Sequence, residues 1–295
     1  GDNRAYDIRY GEFDLHSFFK GVTLTDVSII PLAQDSGAVV QGKVSKAELT
    51  GLAWTKFLFG RQLHLESIVF EEPRFEVNMY EKRVKKKQQE SGLQGLFADI
   101  ISRANLEDFI IDEGTIVFKD GLSGKLRGRT KRISIWAEEI ETDSMRLKNL
   151  VPFELGNLKV ELDSVMYNIN EYTQANMRHL SYDLKKGDLL LEGLSVGFDR
   201  SWVAVSQKMG VQNDVIDFDL ERLEISEMDY YSSILGELDV EAGRMSIEEL
   251  DLRIQRNKNY RRPPDEIKPM FKGMIDLIPF TLIIDTIDVF NSNVS

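Results

Sequence analysis

The sequence predicts a mainly β protein, an elongated, curved antiparallel sheet built from repeated strand units with a few short helices. The first observation behind this fold class is a hydrophobic period of two, as in Ile216, Phe218 and Leu220, which alternate with acidic residues. That period is typical of a strand with one apolar and one polar face. The second observation is that the alternation changes phase within segments, and the third is that a longer pattern recurs along the chain.

The changes of phase predict curvature in the sheet. Leu63 and Leu65 occupy odd positions, whereas Ile68 and Phe70 occupy even ones. An extra residue in one strand of a ladder would produce such a change, and bulges of this kind bend and twist a sheet. We therefore expect strongly curved strands with bulges at the changes of phase.

The recurring pattern is an aliphatic residue followed by further apolar or turn-type residues at the third, fifth, eighth and tenth positions beyond it. The three copies begin at Leu65, Leu106 and Ile284, so the second is shifted by about 41 positions and the third by a further 178 or so. A segment with helical spacing precedes each of the last two copies: Leu93, Leu96, Phe97, Ile100, Ile101, and Met270, Phe271, Met274, Ile275, Ile278.

These repeats predict a division of the chain into units, each of a few strands with a brief helical crossover. The anchors Leu49, Ile140 and Ile225 are separated by roughly 85 to 91 residues. The predicted units are 1–103, with a short helix, 104–187, 188–279, also with a short helix, and 280–295 as the start of a truncated further unit. Ordinary β-hairpins are the alternative explanation of the pattern. Repetition of this length favours an elongated array of stacked units, whereas a packed sandwich is the competing architecture.

The composition excludes several classes of protein. The 295 residues include 37 basic and 49 acidic side chains, a net charge of −12, 42% hydrophobic residues and no Cys. The hydrophobic content is enough for a folded core, and the lack of Cys excludes disulfides and thiolate chemistry. The acidic balance argues against a nucleic acid partner, because phosphate contacts need clustered Lys and Arg. No run approaches 18 apolar residues, so no helix is expected to span a membrane.

The two ends of the sequence indicate a fragment of a longer protein. The chain begins Gly1-Asp2-Asn3 and stops at Val294-Ser295, in the middle of the recurring pattern. A membrane anchor would then lie in a segment missing from this sequence. The rest of the same chain, beyond residue 295, would be a structural partner of the part described here.

The strand patterns resemble the group of AsmA, TamB and bridge-like lipid-transfer proteins. The resemblance rests on Tyr6–Asp14 and Gly21–Ile29, on Val44–Val77 with its Glu72-Pro73-Arg74-Phe75, and on Leu93–Ile116. It implies a periplasmic body tethered to the inner membrane, and a long β-groove that carries phospholipid acyl chains between membranes. The segments 166–176 and 253–265 depart from the pattern.

The apolar residues of two strand patterns are the candidates for lining such a groove. These lipid-groove candidates are Ile68, Phe70, Phe75, Val77, Phe109, Ile111, Ile116 and Phe118. A closed hydrophobic core is the alternative for each of them. The cluster around Trp54 and Phe57 could likewise line the groove or pack a short helix on the end of a sheet.

Two basic stretches stand out in the acidic chain. The candidates for contact with a membrane surface are Lys82, Arg83, Lys85, Lys86 and Lys87, since clustered cations attract anionic headgroups. A solvated loop is the alternative for this run. The second stretch, Arg253, Arg256, Lys258, Arg261 and Arg262, is predicted to be a loop because Pro263 and Pro264 follow it.

The sequence contains no pattern typical of catalysis or metal binding. His16, His64 and His179 lack the spacing of a metal site, and the loop Gly121–Gly128 lacks the ending of a phosphate-binding loop, so we interpret it as a hairpin loop. We therefore expect a non-enzymatic protein without cofactor or metal. The resemblance to AsmA and TamB proteins implies that it binds and transfers phospholipid or another acyl-chain lipid in the cell envelope. The alternative is a periplasmic or secreted β-sandwich that serves as a scaffold or adhesion module without lipid.

Overall fold

The computed structural model describes residues 6–17, 20–32, 38–52, 63–80, 104–141, 154–198, 200–212, 214–232, 238–261 and 281–295. The protein is mainly β in this part, as the sequence predicted, with sixteen strands and one α-helix. The chain divides into two compact units: a first unit of Gly1–Asp163 with Tyr182–Lys185, and a second of Ser164–Ser181 with Lys186–Ser295.

The first unit contains nine complete strands and the start of a tenth. They are β1 (Tyr6–Arg9), β2 (Phe13–Leu15), β3 (Gly21–Pro31), β4 (Ala38–Thr50), β5 (Leu63–Glu71), β6 (Arg74–Met79), β7 (Ala104–Asp120), β8 (Leu126–Arg129), β9 (Arg132–Ile140) and β10 (Asn157–Asn168). From one edge the strand order begins β1, β3, β4. Strands β5 and β6 lie end to end between β4 and β7, and each pairs with both of these strands. Strand β9 pairs with the other side of β7.

The second unit contains the remaining strands and the helix. They are β11 (Thr173–Asp183), β12 (Asp188–Phe198), α1 (Trp202–Met209), β13 (Asp214–Ser232), β14 (Leu238–Arg256), β15 (Thr281–Phe290) and β16 (Asn293–Val294). The strand order is β11, β12, β13, β14, β15, and β16 continues the pairing of β15 with β14. Helix α1 begins after the N-cap Ser201, ends at Gly210 in the left-handed conformation, and contacts β13.

The sheets are mixed, whereas the sequence analysis predicted antiparallel pairing. Strand β7 runs parallel to β5 and β6, and β15 and β16 run parallel to β14. Parallel neighbours need a crossover connection of a dozen or more residues. Residues 80–103 and residues 257–280 provide connections of 24 residues each, where the sequence has its two segments of helical spacing.

The changes of phase do not arise from extra residues in most of the ladders, which corrects the expectation of bulges. Strands β13 and β14 pair without a shift from Asp214↔Arg256 to Ser232↔Leu238. The backbone instead takes a positive φ at one residue near the change of phase, as at Glu227 (57°) and Glu249 (53°). Register shifts do occur where β7 pairs with β8 and β9.

Candidate functional site

The first unit brings all eight predicted groove residues together on two parallel strands. They form four pairs in direct register between β5–β6 and β7: Ile68 with Phe109, Phe70 with Ile111, Phe75 with Ile116, and Val77 with Phe118. The pairs follow from the repeat, since the second copy of the pattern lies beside the first with an offset of 41 residues. Neighbours in register present their side chains to the same face of a sheet, and Phe70 and Phe75 both pack against one buried cluster, so the eight residues share one face.

This face is covered by other side chains over much of its area. Ile68, Val77, Phe109 and Ile111 are buried, and the other four groove candidates are half-buried. Ile68, Phe109 and Ile111 belong to a cluster of buried residues that also contains Leu65, Leu106, Ala137 and Ile140. The rings of Phe70 and Phe109 meet edge to face with their centroids 5.8 Å apart. The role of these residues in lining a lipid groove stays a prediction.

The cluster also shows what a change of phase does to the side chains. Leu65 and Ile68, three positions apart on β5, belong to the same cluster, and so do Leu106 and Phe109 on β7. In a regular strand, residues three apart would point to opposite faces. The change of phase therefore keeps the apolar side chains on one face along the whole strand.

The second unit carries a broader apolar face, which the sequence analysis did not select as a candidate. We call the following residues the second apolar face: Leu189, Leu191, Leu194 and Val196 of β12; Phe218, Leu220, Leu223 and Ile225 of β13; Met245, Ile247, Leu250 and Leu252 of β14; Ile287, Val289 and Val294 of β15 and β16. In register they form rows such as Leu191–Leu223–Ile247–Val289, which cross all four strands. The same alternation that predicted the strands was the signal for this surface.

The second apolar face is partly accessible, with three of its residues exposed and eleven half-buried. Of its fifteen residues only Leu220 is buried, and the others are half-buried or exposed. Exposure is greatest on β15 and β16, where Ile287 is 56% and Val294 is 66% exposed. A contiguous apolar surface of this kind on a folded protein usually marks a binding site for a partner or a lipid.

Charged residues occupy the opposite face of the same strands and are largely paired with one another. Arg253 of β14 reaches Asp219 at 3.0 Å and Asp251 at 3.2 Å. Arg178 of β11 donates a hydrogen bond to Glu221 at 2.7 Å, and this bond lowers the pKa of the Glu221 carboxyl. The second unit is thus amphipathic, with one face suited to water and the other suited to apolar contact.

A polar recess of about 490 Å³ lies on this second unit as well. Its lining residues include Asn170 and Thr173 at the β10–β11 turn, and Asp217 and Arg253 on the central strands. Asn170 Oδ1 accepts hydrogen bonds from the backbone N–H groups of Tyr172 and Thr173, so its carbonyl oxygen stabilises the turn. The recess is lined by groups that already bind one another.

Residues 121–125 connect β7 and β8, which are antiparallel, so the predicted hairpin loop is present, although Leu126, Arg127 and Gly128 of the predicted loop already belong to β8. Asp120 Oδ1 accepts bonds from the backbone N–H and the hydroxyl of Ser123, each at 2.8 Å. These bonds, together with Arg127, lower the pKa of the Asp120 carboxyl. The carboxylate of Asp120 is therefore paired with Ser123 of the loop and with Arg127 of β8.

The remaining predicted site residues have structural surroundings or lie outside the described part of the chain. His16 Nε2 is 2.8 Å from the hydroxyl of Thr23. Among the residues that the structure describes, no three His, Asp or Glu side chains are grouped so that they could hold a metal ion. Arg253 and Arg256 lie in β14, which corrects their assignment to a loop: β14 continues to Arg256 because both arginines pair with aspartates across the ladder.

Several predictions fall on residues outside the described ranges. The membrane-surface candidates Lys82, Arg83, Lys85, Lys86 and Lys87 do so, as do the cluster around Trp54 and Phe57 and both segments with helical spacing.

The sequence matches no known protein-family model and no curated protein sequence. In the described parts of the chain, no helix is both long and apolar enough to span a membrane.

Proposed function

We propose that the protein binds the acyl chains of phospholipid or a similar lipid along the second apolar face and transfers such lipids between membranes. One observation supports this proposal most directly. Rows of apolar side chains cross β12 to β15 without a charged residue among them, and all of these side chains except Leu220 are half-buried or exposed. Long, flexible hydrocarbon is the ligand that such an extended and unspecialised surface suits best.

The energetics favour a shuttle or conduit for lipid. Each methylene group that leaves water for an apolar surface contributes about 0.8 kcal/mol, so partial burial of one acyl chain is worth several kcal/mol. A charged headgroup remains in water at the edge of the sheet, which avoids the large cost of burying an ion. Binding of this kind needs no covalent step, cofactor or metal. The function that we propose is therefore not enzymatic.

The setting that we propose follows from the resemblance to AsmA and TamB proteins. The protein would act in the periplasm, tethered to the inner membrane in its full-length form, and would contribute to building the outer membrane. The basic run that includes Lys82 and Arg83 would contact anionic headgroups.

Lipid extraction tests the proposal directly. The purified chain is extracted with organic solvent, and the extract is analysed by mass spectrometry. We expect phospholipid or fatty acid in a stoichiometric amount. Repeatedly clean extracts, together with no binding of added pyrene-labelled hexadecanoic acid, would contradict the proposal and favour the scaffold or adhesion module.

Two neighbouring residues give a matched pair of variants for the same assay. Ile247 lies on the second apolar face and Ser246 on the polar face, and both are half-buried on β14. We expect Ile247→Asn to weaken binding of the pyrene fatty acid about tenfold, which corresponds to about 1.4 kcal/mol. Ser246→Asn should bind it as the unmodified chain does. Unchanged binding by Ile247→Asn would mean that the fatty acid binds elsewhere, and equal loss in both variants would mean that the loss is not specific to the second apolar face.

A further inference from the structure

The outer edge of β15 is an unusually apolar strand edge. On one side β15 pairs with β14, and among the described residues no strand pairs with its other side. Its exposed residues include Ile283 (48%), Ile287 (56%) and Phe290 (50%). Proteins usually protect such edges with charged residues, especially Lys, or with Pro. The sequence of β15, TLIIDTIDVF, contains no Lys or Pro, and of its two charged residues, Asp285 and Asp288, the second pairs with Arg244.

Strands β15 and β16 together are the counterpart of β7. Each follows a connection of 24 residues and then pairs in parallel with an earlier strand, β7 with β5–β6 and β15–β16 with β14. The offsets are 41 residues for Leu65↔Leu106 and 42 for Ala242↔Ile284. The apolar positions correspond as well, since Leu106, Phe109 and Ile111 become Ile284, Ile287 and Val289 after a shift of 178.

The backbone supports the same correspondence. Glu113 of β7 has a φ of 50°, and Asn291, which follows β15, has a φ of 48°. These two residues are also 178 positions apart. Because a positive φ at a residue other than glycine is uncommon, its recurrence at the matching position indicates that the two strands share one design.

In the first unit, the edge of β7 that corresponds to the outer edge of β15 is occupied by β9. The two strands are antiparallel, with Leu106↔Ile140, Phe109↔Ala137 and Ile111↔Ile135 in register. Ala137 and Ile140 are buried in the cluster of the first unit. The strand added to β7 therefore completes both its backbone hydrogen bonds and its apolar cover.

We propose that the outer edge of β15 binds an antiparallel strand of a partner polypeptide that has the apolar pattern of β9. The partner strand would place an aliphatic residue opposite Ile284, a small one opposite Ile287 and an aliphatic one opposite Val289, with one change of phase between the first two. Main-chain hydrogen bonds supply the affinity in such strand addition, and the alternate side chains supply the specificity. The added side chains would also extend the second apolar face by one strand.

A peptide of residues 131–142, with the sequence KRISIWAEEIET, is the probe for this site. Because the chain contains no Cys, single cysteines can report the register. We expect Ile287→Cys in the full chain to form a disulfide with a peptide carrying Ala137→Cys, since residues directly opposite each other have Cβ atoms close enough for a disulfide. A second pair, Val289→Cys with Ile135→Cys, should behave alike.

The controls distinguish strand addition from loose contact with the apolar face. A peptide carrying Glu138→Cys presents its thiol to the opposite face and should cross-link to Ile287→Cys at least tenfold more slowly. Binding of the unmodified peptide should slow hydrogen exchange at the amides of residues 281–290, and a peptide with Ile135→Pro should not. Equal cross-linking at positions 137 and 138 would overturn the proposal. So would cross-linking between two Ile287→Cys chains in the absence of peptide, because a second copy of the chain would then occupy the edge.

Discussion

The two units carry the same apolar pattern but differ in how far they cover it. Phe109 of β7 is 8% exposed, and its counterpart Ile287 on β15 is 56% exposed. Ile111 and Val289 form a second such pair, with 7% and 55%. Strand β7 has neighbours on both sides, whereas β15 has a described neighbour on one side alone. The pattern thus determines which face is apolar, and the neighbouring strands determine how much of that face remains accessible.

This difference separates two uses of one strand design. In the first unit the apolar side chains form a core that stabilises the fold, including the buried Leu65, Leu106 and Ile140. In the second unit the corresponding side chains of β15, Ile287 and Val289, are exposed, and we propose that they belong to a binding surface. A mutation in the buried cluster of the first unit should reduce the free energy of unfolding, and a mutation on the second apolar face should reduce lipid binding.

The largest expected effect is a loss of stability, and it is measured by making the same isoleucine-to-alanine substitution once in each unit. Ile111→Ala should lower the free energy of unfolding of the first unit by about 2–4 kcal/mol, because it removes buried methylene groups and leaves a cavity. Ile287→Ala should cost less than about 0.5 kcal/mol, since the side chain is already exposed. Native-state hydrogen exchange at the amides of β7 and β15 measures the two units separately. A large loss at Ile287 would mean that this residue is covered in solution, and the contrast between the units would fail.

The next effect compares two glycines with the same backbone angle. Gly124 in the first unit and Gly187 in the second both have a φ of 69°. A Cβ at Gly124 would meet no atom within 4 Å, whereas one at Gly187 would lie 2.6 Å from the carbonyl oxygen of Met228. We expect Gly124→Ala to cost about 1 kcal/mol for the left-handed backbone alone.

Gly187→Ala should cost about 2–3 kcal/mol, since the clash is with backbone and β12 must move away from β13. Urea denaturation of both variants provides the comparison. Equal losses of stability in the two variants would indicate that β12 and β13 separate at little cost. The second unit would then be the more deformable of the two.

The sequence predicted the strands and their apolar faces because both depend on local alternation. The repeat also coincides with contacts that were not predicted, since Leu65 and Leu106 occupy the same position in two copies and lie side by side in the sheet. It did not predict which copy would be buried, because burial depends on strands far away in sequence, such as β9 beside β7.

Two other features were beyond local reasoning. Strands β7 and β15 can run parallel to their neighbours because long connections precede them. The alternation of apolar and polar residues is the same in parallel and antiparallel strands, so it could not predict the direction. The positive φ at Glu72 and Glu113 was not predictable either. Glutamate has no intrinsic preference for the left-handed conformation, so the neighbouring strands must impose it.

The smallest expected effect concerns charge pairs. Glu76 of the first unit is 27% exposed, and its carboxylate accepts hydrogen bonds from Lys119, from Asn78 at 3.2 Å and from Gln41 at 2.8 Å. The bond from Lys119 contributes most to lowering the pKa of Glu76. The pair chosen for comparison in the second unit, Glu221 with Arg178, is about half exposed, and water and salt screen that pair more strongly.

Glu76→Gln should therefore lower stability at pH 7 by about 0.5–1 kcal/mol, a little more than an exposed ion pair contributes. The carboxylate has a lower pKa in the folded protein than in the unfolded chain, so its contribution is present above the unfolded pKa and disappears as the pH falls through the folded value. The difference between Glu76→Gln and the unmodified chain should therefore shrink as the pH falls from 7 to 2. Glu221→Gln should give a smaller difference at every pH and lose it in high salt. Urea titrations at pH 7, 4 and 2 measure both series, and a difference for Glu76→Gln that persists at pH 2 would show that the lost hydrogen bonds, not the charge, account for its effect.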